Sequence, residues 1–399
     1  MAFSQPREDP PVAASTPVVE VVIATLMRET GGSGVQSHVG TLRSFARRTG
    51  QAETLVTPFS DHSPLLRPVF AARIAIRLVS RAAGVRWYRY WHGHYLGRAL
   101  AAHLESATGP VVVYAQDPVS AAVALRVRRS RQVAVVMAVH FNVSQALEWA
   151  DKGEVARDSR TFAAIQALED QVLPRLDGVV YVSQFMRDLL VQRLPGLGAV
   201  PGVVIPNSVE VIGRPATAPQ ADLVTVGALE PRKNQGYLLD VLAVAAERGH
   251  RYTLTIVGEG PDRGQLERQA ERLGLGGQVR FAGYLADPRS TVAAHQLYCH
   301  ASRMESFGIA LIEAMAEGLP VLAAPVGGIP EIVRPGVDGD LWSLDDPQDG
   351  ADRLIAILSD PARRDAMAAA AQSRAEEEFS SDRQAPRLLD FLARATRRG

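Results

Sequence analysis

Short apolar runs alternate with longer amphipathic stretches along almost the whole chain. The longer stretches repeat their apolar residues at the three- and four-residue spacing of a helix. In the first half, strands are predicted near 18–26, 52–57, 110–115, 133–139, 178–182 and 202–205, and helices near 35–48, 69–81, 91–106, 118–130, 160–173 and 184–194. In the second half, strands are predicted near 222–227, 252–257, 278–282, 296–299, 319–323 and 340–343, and helices near 235–248, 262–273, 306–317, 347–359, 363–377 and 382–397. Strands that alternate with helices predict a parallel α/β architecture.

The pattern divides the chain into two halves of similar size. It is lost over 209–221, a stretch with Gly213, Pro215 and Pro219 that we interpret as a linker. We expect an N-terminal doubly wound domain at 17–208, a C-terminal one at 222–380, and a last helical segment at 381–399. Residues 1–16 are polar and lack the apolar core of a signal peptide, so we expect a disordered tail there. Ligands of such sheets bind at the carboxyl ends of the strands, and the site is expected in the cleft between the domains.

Composition narrows the classes of function. The 399 residues are 47% hydrophobic and carry zero formal net charge, so no overall field attracts nucleic acid, and no nucleic-acid partner is expected. With the single cysteine, Cys299, no intrachain disulfide can form, which fits a reducing cytoplasm. No apolar run approaches the roughly 18–20 residues of a membrane helix. We therefore expect a cytoplasmic protein.

Two motifs in the second half combine carboxylates with the starts of helices. Glu305-Ser-Phe-Gly-Ile-Ala-Leu-Ile-Glu313 is typical of a strand end that turns into a helix, and Pro325-Val-Gly-Gly-Ile-Pro-Glu331 is typical of a glycine loop that opens another. Helix N-termini offer free backbone N–H groups and the positive end of a dipole, which suit a phosphate. Carboxylates suit the hydroxyls of a ribose and a sugar. Together the motifs predict a pocket for a sugar nucleotide.

These motifs resemble those of the retaining family-4 glycosyltransferases, which have the GT-B fold of two Rossmann-like domains facing a cleft. The likeness extends over residues 18–380 and includes four more segments in family order: Ile205-Pro-Asn-Ser-Val209, Val226-Gly-Ala-Leu-Glu-Pro-Arg-Lys-Asn234, Val257-Gly-Glu-Gly-Pro261 and Val279-Arg-Phe-Ala-Gly-Tyr284. Several short motifs in the right order are far more specific than one. The resemblance also implies that the last helix crosses back to the first domain.

The resemblance implies an activity. A hexose or N-acetylhexosamine is expected to move from a nucleotide-diphosphate sugar, UDP-linked by preference and GDP-mannose as the alternative. The acceptor is expected to be a hydroxyl of a glycan, a glycolipid or a small natural product. Two other classes stay open: a non-catalytic sugar-nucleotide binder and a sugar-nucleotide epimerase on the same fold. Product analysis separates all three, because a binder never turns over and an epimerase needs no acceptor.

The resemblance also assigns roles to charged side chains. Glu313 is expected to bind the ribose hydroxyls, and Glu305 is expected to lie near the donor sugar. Lys233 is expected to contact the diphosphate and to stabilise the negative charge of the leaving nucleotide. Many family members carry an arginine where this chain has Ala228, and Arg232 is the candidate to replace it.

The other donor contacts are expected from backbone and from the first domain. Ser306, Phe307, Gly308 and Ile309 would start a helix whose N–H groups point at the diphosphate. Tyr284 lies where the family holds the nucleobase, and His140, at a strand end, where the family contacts the donor sugar. Gly31-Gly-Ser-Gly34 resembles the family's N-terminal glycine loop, so Gly32, Ser33 and Gly34 are expected to approach the diphosphate when the cleft closes. We expect His140, Lys233 and Glu305 to act in catalysis.

The sequence contains no nucleophile-elbow motif and no HExxH or CxxC metal pattern. This absence agrees with the retaining transfer that the resemblance implies, in which acceptor and leaving phosphate meet on one face of the sugar. The leaving phosphate would then take the acceptor proton. We expect neither a metal nor another cofactor.

Residues 62–104 contain seven arginines and no acid, with tryptophan and tyrosine interleaved. The arginines are Arg67, Arg73, Arg77, Arg81, Arg86, Arg89 and Arg98. Three interpretations stay open: contact with an anionic membrane surface or phospho-acceptor, aromatic stacking on a sugar acceptor, and a helix pair whose arginines extend from a packed face. The first would place the protein peripherally at the inner membrane face.

Overall fold

The computed structural model describes residues 19–128, 132–141, 143–212 and 219–397. Within that part of the chain, twelve strands form two six-stranded sheets in which every neighbouring pair is parallel. All twelve strands predicted from the sequence are present, and the predicted doubly wound α/β fold is confirmed. The predicted tail at 1–16 lies outside the described residues, as do residues 213–218 of the predicted linker.

The first sheet has the strand order β2-β1-β3-β4-β5-β6. Its strands are β1 (Glu20–Ala24), β2 (Glu53–Val56), β3 (Val111–Ala115), β4 (Val133–Val139), β5 (Gly178–Tyr181) and β6 (Gly202–Val204). Its helices are α1 (Gly34–Thr49), α2 (Leu66–Val79), α3 (Arg81–Ser106), α4 (Pro118–Val127), α5 (Gln145–Asp151), α6 (Arg160–Val172) and α7 (Gln184–Arg193).

The second sheet has the order β12-β11-β10-β7-β8-β9. Its strands are β7 (Ala221–Val226), β8 (Leu254–Val257), β9 (Val279–Gly283), β10 (His295–His300), β11 (Val321–Ala323) and β12 (Gly339–Leu341). The helices that follow in the chain are α8 (Gln235–Glu247), α9 (Arg263–Arg272), α10 (Arg289–Ala293), α11 (Ile309–Ala316), α12 (Pro347–Leu358), α13 (Pro361–Glu378) and α14 (Ser381–Ala395).

Composition explains why these segments become strands and helices. The central strands are rich in valine, and all seven residues of β4 are buried, as expected for a parallel sheet covered on both faces. Several helices start at a capping side chain: Ser33 before α1, and Asp117 before α4 and Ser183 before α7, the last two directly after a strand. Chain direction therefore reverses at the carboxyl edge of the first sheet, where the cleft lies.

The helix predictions needed three corrections. The helices predicted at 69–81 and 91–106 are α2 and α3, and α3 begins at Arg81 because Ser80 is extended and caps it. Aromatic and basic residues mix around α3, which hid its first turns from the periodicity. The short helices α5 and α10 were not predicted. The helix predicted at 306–317 begins only at Ile309, because Gly308 takes a left-handed φ of 115°.

The end of the chain returns to the first sheet. Val209 forms a parallel bridge with Ser380, and α14 starts immediately afterwards. Apolar residues of α14, among them Leu388 and Leu392, are buried in a cluster with residues of β1, β3, β4 and α1. The first domain thus completes its core with the last helix of the chain.

Candidate active site

Glu305 lies on the loop between β10 and α11 and is only 8% exposed. Its carboxylate pairs with the Lys233 ammonium, lies 3.6 Å from Nη1 of Arg232 and 3.2 Å from Nε2 of His300. Burial by itself raises the pKa of the Glu305 carboxyl, but the charge of Lys233, the hydrogen bond from His300 and the charge of Arg232 hold it well below its usual range. Glu305 is therefore ionised in this structure at neutral pH.

His300, at the end of β10, orients Glu305. The imidazole is buried, and burial lowers its pKa, so it is neutral and donates from Nε2 to the carboxylate. Its backbone carbonyl accepts a hydrogen bond of 3.2 Å from Nε1 of the buried Trp342. Sequence reasoning did not single out His300. Its place at a strand end, five residues before Glu305, was the available signal.

Arg232 is held beside the same loop. Its guanidinium donates to the carbonyl of Met304 at 3.1 Å and pairs with Glu230 at 2.9 Å. Arg232 and Lys233 thus approach Glu305 together from the loop that precedes α8. The structure brings together all three charged groups that the sequence predicted for the sugar and diphosphate end of the site.

The loop that follows Glu305 has free backbone donors. Within the described part of the chain, the N–H groups of Ser306, Phe307 and Gly308 donate to no protein acceptor. The Phe307 side chain is buried and packs edge-on against Phe379 at 5.8 Å, so only the backbone of Phe307 is available to a ligand. With the first N–H of α11 at Ile309, the loop forms a short run of unpaired donors next to Lys233 and Glu305.

The second glycine motif supports this loop and does not open an α-helix. It leads into a three-residue 3₁₀ turn at Ile329–Glu331. Gly327 has a φ of 58°, and a Cβ there would lie 1.7 Å from the carbonyl oxygen of Glu305. The N–H of Gly328 donates to the same oxygen at 3.1 Å. The expected second helix is thus reduced to this 3₁₀ turn, and Gly327 and Gly328 allow close packing against the backbone of Glu305 and Ser306.

Glu331 joins the two domains. Its carboxylate accepts hydrogen bonds from the backbone N–H groups of Gln184 and Phe185, at 2.8 and 2.7 Å, at the start of α7. Ser183 in turn donates to the Ser306 carbonyl at 2.7 Å. The N-terminus of α7 is thus filled by a carboxylate from the second domain.

Glu313, on α11, lies in a different environment from Glu305. Its carboxylate accepts a hydrogen bond of 2.8 Å from the Ser37 hydroxyl, which belongs to α1 of the first domain. Burial raises the pKa of Glu313, and the Ser37 hydrogen bond offsets that rise only in part. Glu313 lines a cavity of about 370 Å³ between the domains, together with Ser37, Asp287 and Arg289. Ser37 was not predicted from the sequence.

The N-terminal glycine loop contacts the second domain, as the closed cleft requires. A Cβ on Gly32 would lie 2.8 Å from the ring of Tyr284, and one on Gly34 would lie 3.2 Å from Cδ1 of Ile309. Ser33 caps α1, where its hydroxyl accepts from the backbone of Gln36 at 3.3 Å. Tyr284 is about half exposed, and its ring lies over the glycine loop.

His140 ends β4 and faces the same region. Its Nε2 lies 3.0 Å from Oε1 of Gln116, and its ring lies 4.9 Å from that of His38. Burial and the neighbouring His38 hold the pKa of His140 well below its ordinary value, so the ring is neutral. The Ser306 hydroxyl donates to the His140 carbonyl at 3.0 Å, which ties His140 to the loop of Glu305. Asn142 lies outside the described residues.

The structure contains neither a metal cluster nor a membrane-spanning helix within its described part. In residues 19–128, 132–141, 143–212 and 219–397, no group of three or more histidine, cysteine or acidic side chains is placed to hold a metal ion. In the same ranges, every helix is too short or too polar to cross a membrane.

Comparison with known proteins identifies the family. A family model described as "Glycosyl transferases group 1" matches residues 214–374, and one described as "Glycosyltransferase Family 4" matches residues 32–211. The chain belongs to the family-4 glycosyltransferases. This family-4 glycosyltransferase is 28% identical over 353 residues to a phosphatidyl-myo-inositol mannosyltransferase of Mycobacterium leprae (strain TN), and the match covers 84% of this chain and 87% of that protein.

Solved structures share its GT-B fold. Anabaena Alr3699/HepE, crystallised with UDP and glucose, superposes with a TM-score of 0.67 at 18% identity and covers 94% of this chain and 99% of its own. TarM of S. aureus, crystallised as a mutant with UDP and other ligands, gives a TM-score of 0.62 at 17% identity over 74% of this chain. This chain spans 59% of the TarM chain. At these identities the likeness concerns the fold.

Proposed function

We propose that this glycosyltransferase moves a hexosyl or N-acetylhexosaminyl group from a nucleotide-diphosphate sugar to a hydroxyl acceptor with retention of configuration. One observation carries the proposal: unpaired N–H groups of Ser306, Phe307 and Gly308 adjoin the Lys233–Glu305 pair. Oriented backbone donors and a cation are what a departing diphosphate needs. The acceptor is a glycan, a glycolipid or a small natural product.

The chemistry follows from these groups. The acceptor oxygen bonds to the anomeric carbon as the bond from that carbon to the diphosphate oxygen breaks, and the released phosphate oxygen takes the acceptor proton. Lys233 and the backbone N–H groups stabilise the charge that develops on the diphosphate, while Glu305 holds Lys233 in place and faces the donor sugar. The neutral His140 either accepts one hydrogen bond from the sugar or donates one to it. No divalent metal takes part, and addition of a chelator is expected to leave the rate unchanged.

Glu313 is proposed to bind the ribose. A carboxylate accepts two hydrogen bonds from a vicinal diol, and ionised acceptors form the stronger bonds. The cavity of about 370 Å³ beside Glu313 gives the nucleoside room, and we propose that Tyr284, whose ring lies against Gly32, contacts the nucleobase. When the ribose binds, the Ser37 hydroxyl either loses its hydrogen bond to Glu313 or keeps it on one carboxylate oxygen while the ribose hydroxyls donate to the other.

UDP is the nucleotide that we favour. Two solved structures of the same fold, TarM of S. aureus and Anabaena Alr3699/HepE, were crystallised with UDP. GDP-mannose is the second candidate donor, because the relative from Mycobacterium leprae is a mannosyltransferase by name. That relative's name also includes phosphatidyl-myo-inositol, which supports a lipid-linked acceptor. We propose a cytoplasmic location, peripheral at the inner membrane face.

Calorimetric titration of the chain with UDP, GDP and ADP, beside the Glu313→Ala variant, tests the site. We expect one nucleotide to bind selectively and the variant to lose affinity by about 10- to 100-fold. Equal binding by the variant would remove Glu313 from the site. Binding of no nucleotide, even with acceptor mixtures present, would contradict the transferase proposal.

Product analysis then separates the classes of function. The donor class found by titration is incubated with and without candidate acceptors, and the new bond is characterised by NMR. Retained configuration at the anomeric carbon supports the proposal, whereas inversion contradicts it. Conversion of the donor into an epimer without acceptor would identify an epimerase. Binding without any turnover would identify a sensor.

A further inference from the structure

Gln116 is buried at the carboxyl edge of the first sheet, where it follows β3 directly and is only 3% exposed. Its backbone N–H donates to the Ala24 carbonyl at the end of β1, at 2.9 Å. Its side-chain amide reaches the opposite neighbour of β3, where Oε1 lies 3.0 Å from Nε2 of His140. The motifs of the sequence assigned Gln116 no role, yet it contacts a residue expected to act in catalysis.

The orientation of the Gln116 amide follows from its other partner. The amide nitrogen lies 3.1 Å from the backbone carbonyl oxygen of Tyr114. A carbonyl oxygen only accepts hydrogen bonds, so it requires the NH₂ end of the amide, and the reversed amide would bring two oxygens together. The carbonyl end of Gln116 therefore faces the His140 ring.

That orientation determines where His140 carries its proton. The ring is neutral, so it has one N–H and one lone pair. The Gln116 oxygen needs a hydrogen from Nε2, which leaves the lone pair on Nδ1. Among the described residues, no other group hydrogen-bonds this ring. The Ser306 hydroxyl donates to the backbone carbonyl of His140, and Nε2 of the neighbouring His38 is 3.2 Å from a tyrosine hydroxyl.

We propose that Gln116 is a positioning residue that fixes His140 as a hydrogen-bond acceptor for the donor sugar. Because Gln116 holds the Nε2 proton, the partly exposed ring offers a ligand the lone pair of Nδ1. A sugar hydroxyl meets this requirement, since it can turn its O–H toward the ring. The inference rests on the proposed transfer function for the identity of the ligand. It predicts selection for a hydroxyl over a substituent that only accepts, such as fluorine.

Nitrogen-15 NMR of the full chain with labelled histidine tests the tautomer without any ligand. The protonated and unprotonated nitrogens of a neutral imidazole have very different chemical shifts, and the signals of His140 are those that His140→Ala removes. We expect the proton on Nε2 in the parent and in Gln116→Glu, which keeps an oxygen facing the ring. In Gln116→Leu, an N–H on Nε2 would be buried without an acceptor, so we expect the proton to move to Nδ1 in a large part of the molecules.

Gln278→Leu is the matched control for this experiment. Gln278 is also buried and donates from its side-chain amide to a backbone carbonyl, that of Tyr252, at 3.1 Å, but it belongs to the second domain. The His140 signals should be unchanged in this variant. A proton on Nδ1 in the parent, or an unchanged tautomer in Gln116→Leu, would overturn the inference.

Donor analogues test the consequence for the sugar. Monodeoxy and monofluoro analogues of the identified donor are titrated calorimetrically, because fluorine would also alter the rate by withdrawing electrons from the reacting carbon. The hydroxyl that contacts His140 is the one whose removal costs no further affinity in His140→Ala. At that position, we expect the fluoro and deoxy analogues to bind the parent about fivefold more weakly than the natural donor, the value of one neutral hydrogen bond.

A fluoro analogue that binds like the natural donor would show that His140 donates, and would overturn the inference. The NMR measurement needs no donor. Failure of the transfer proposal and failure of the tautomer assignment are therefore detected in different experiments.

Discussion

Glu305 and Glu313 stand eight positions apart on one loop and helix, yet they lie in opposite electrostatic environments. Glu305 is surrounded by Lys233, Arg232 and a histidine donor, and these hold its pKa well below the usual range. Glu313 has a single hydroxyl partner, Ser37, and burial raises its pKa. Spacing alone does not distinguish the two carboxylates. Their neighbours fix Glu305 in a cluster of cations and leave Glu313 with one neutral hydrogen-bond partner.

The difference indicates how the site divides its work. A carboxylate that is already neutralised by cations stabilises the fold and positions those cations. Glu313 is partly buried, and the Ser37 hydroxyl and the charge of Arg289 offset the cost of burying its carboxylate only in part, so ribose hydroxyls would supply further donors.

The largest effect is expected from Glu305→Gln. This change leaves Lys233 and Arg232 without their shared carboxylate, and breaking a buried pair costs about 3–5 kcal/mol of unfolding free energy. Denaturant unfolding at neutral pH measures it. Glu230→Gln, which removes another carboxylate from Arg232 but leaves Glu305 in place, is the matched control and is expected to cost much less. Equal costs would mean that the Glu305 cluster has no special stability.

Lys233→Ala is expected to lower turnover by about 10²–10³-fold, the cost typical of a lost donor to developing charge. Nucleotide affinity should fall less than turnover, because the stabilisation matters most as the diphosphate departs. Steady-state kinetics and nucleotide titration on the same variant measure both. Lys152→Ala changes the other lysine of the chain, whose ammonium lies over the ring of Trp149, and should behave like the parent. A fall confined to KM would contradict the assigned role.

Glu313→Gln is expected to act with the opposite sign to Glu305→Gln on stability. The empty variant should be at least as stable as the parent at neutral pH, since it removes a charge whose burial cost Ser37 and Arg289 offset only in part. Its nucleotide affinity should nevertheless fall by about 10- to 100-fold, the equivalent of one charge-assisted hydrogen bond. Thermal unfolding without ligand and calorimetry with nucleotide measure the two effects. A clear loss of stability in Glu313→Gln would contradict the proposed difference between Glu305 and Glu313.

The pH dependence follows from the raised pKa of Glu313. An acid whose pKa is raised by folding destabilises the folded state when ionised, and that penalty disappears as the pH falls through the folded pKa. The stability advantage of Glu313→Gln over the parent should therefore shrink on acidification. Nucleotide affinity should fall over the same pH range, because the protonated carboxyl loses acceptor strength.

The smallest effect is expected from Ser37→Ala. The Ser37 hydroxyl lowers the pKa of Glu313, so its removal should raise that pKa further and move the loss of nucleotide affinity to higher pH. At neutral pH the change in affinity should be about fivefold or less, the value of one neutral hydrogen bond. Titrations at several pH values compare the variant with the parent. Ser306→Ala removes another hydroxyl of the cleft, one that does not contact Glu313, and should leave the pH profile in place.

The sequence predicted the strands and the charged end of the site because both are encoded locally. Valine-rich runs favour buried parallel strands, and Lys233 and Glu305 each sit in a short motif that resembles one of the family. The Ser37–Glu313 hydrogen bond joins residues 276 positions apart, and only the closed arrangement of the two domains creates it. The role of Glu331 at the start of α7 could not be predicted for the same reason.

The arginine-rich segment shows a second limit. Periodicity assigns charged residues to the solvent face of a helix, but Arg73 of α2 lies over the ring of Tyr88 and Arg77 pairs with Glu154. Such partners come from other elements, so the direction in which a helix faces cannot be obtained from its own sequence. The start of α11 at Ile309 was missed because the pattern of apolar residues does not reveal that Gly308 takes a left-handed backbone conformation.

The return of α14 to the first domain has a consequence for synthesis on the ribosome. The face of the first sheet that Leu388 and Leu392 cover stays open while the chain between Val209 and Ser380 is made. The first domain therefore cannot complete its core as it emerges, although N-terminal domains generally fold first. Its apolar surface therefore stays exposed until α14 has been made.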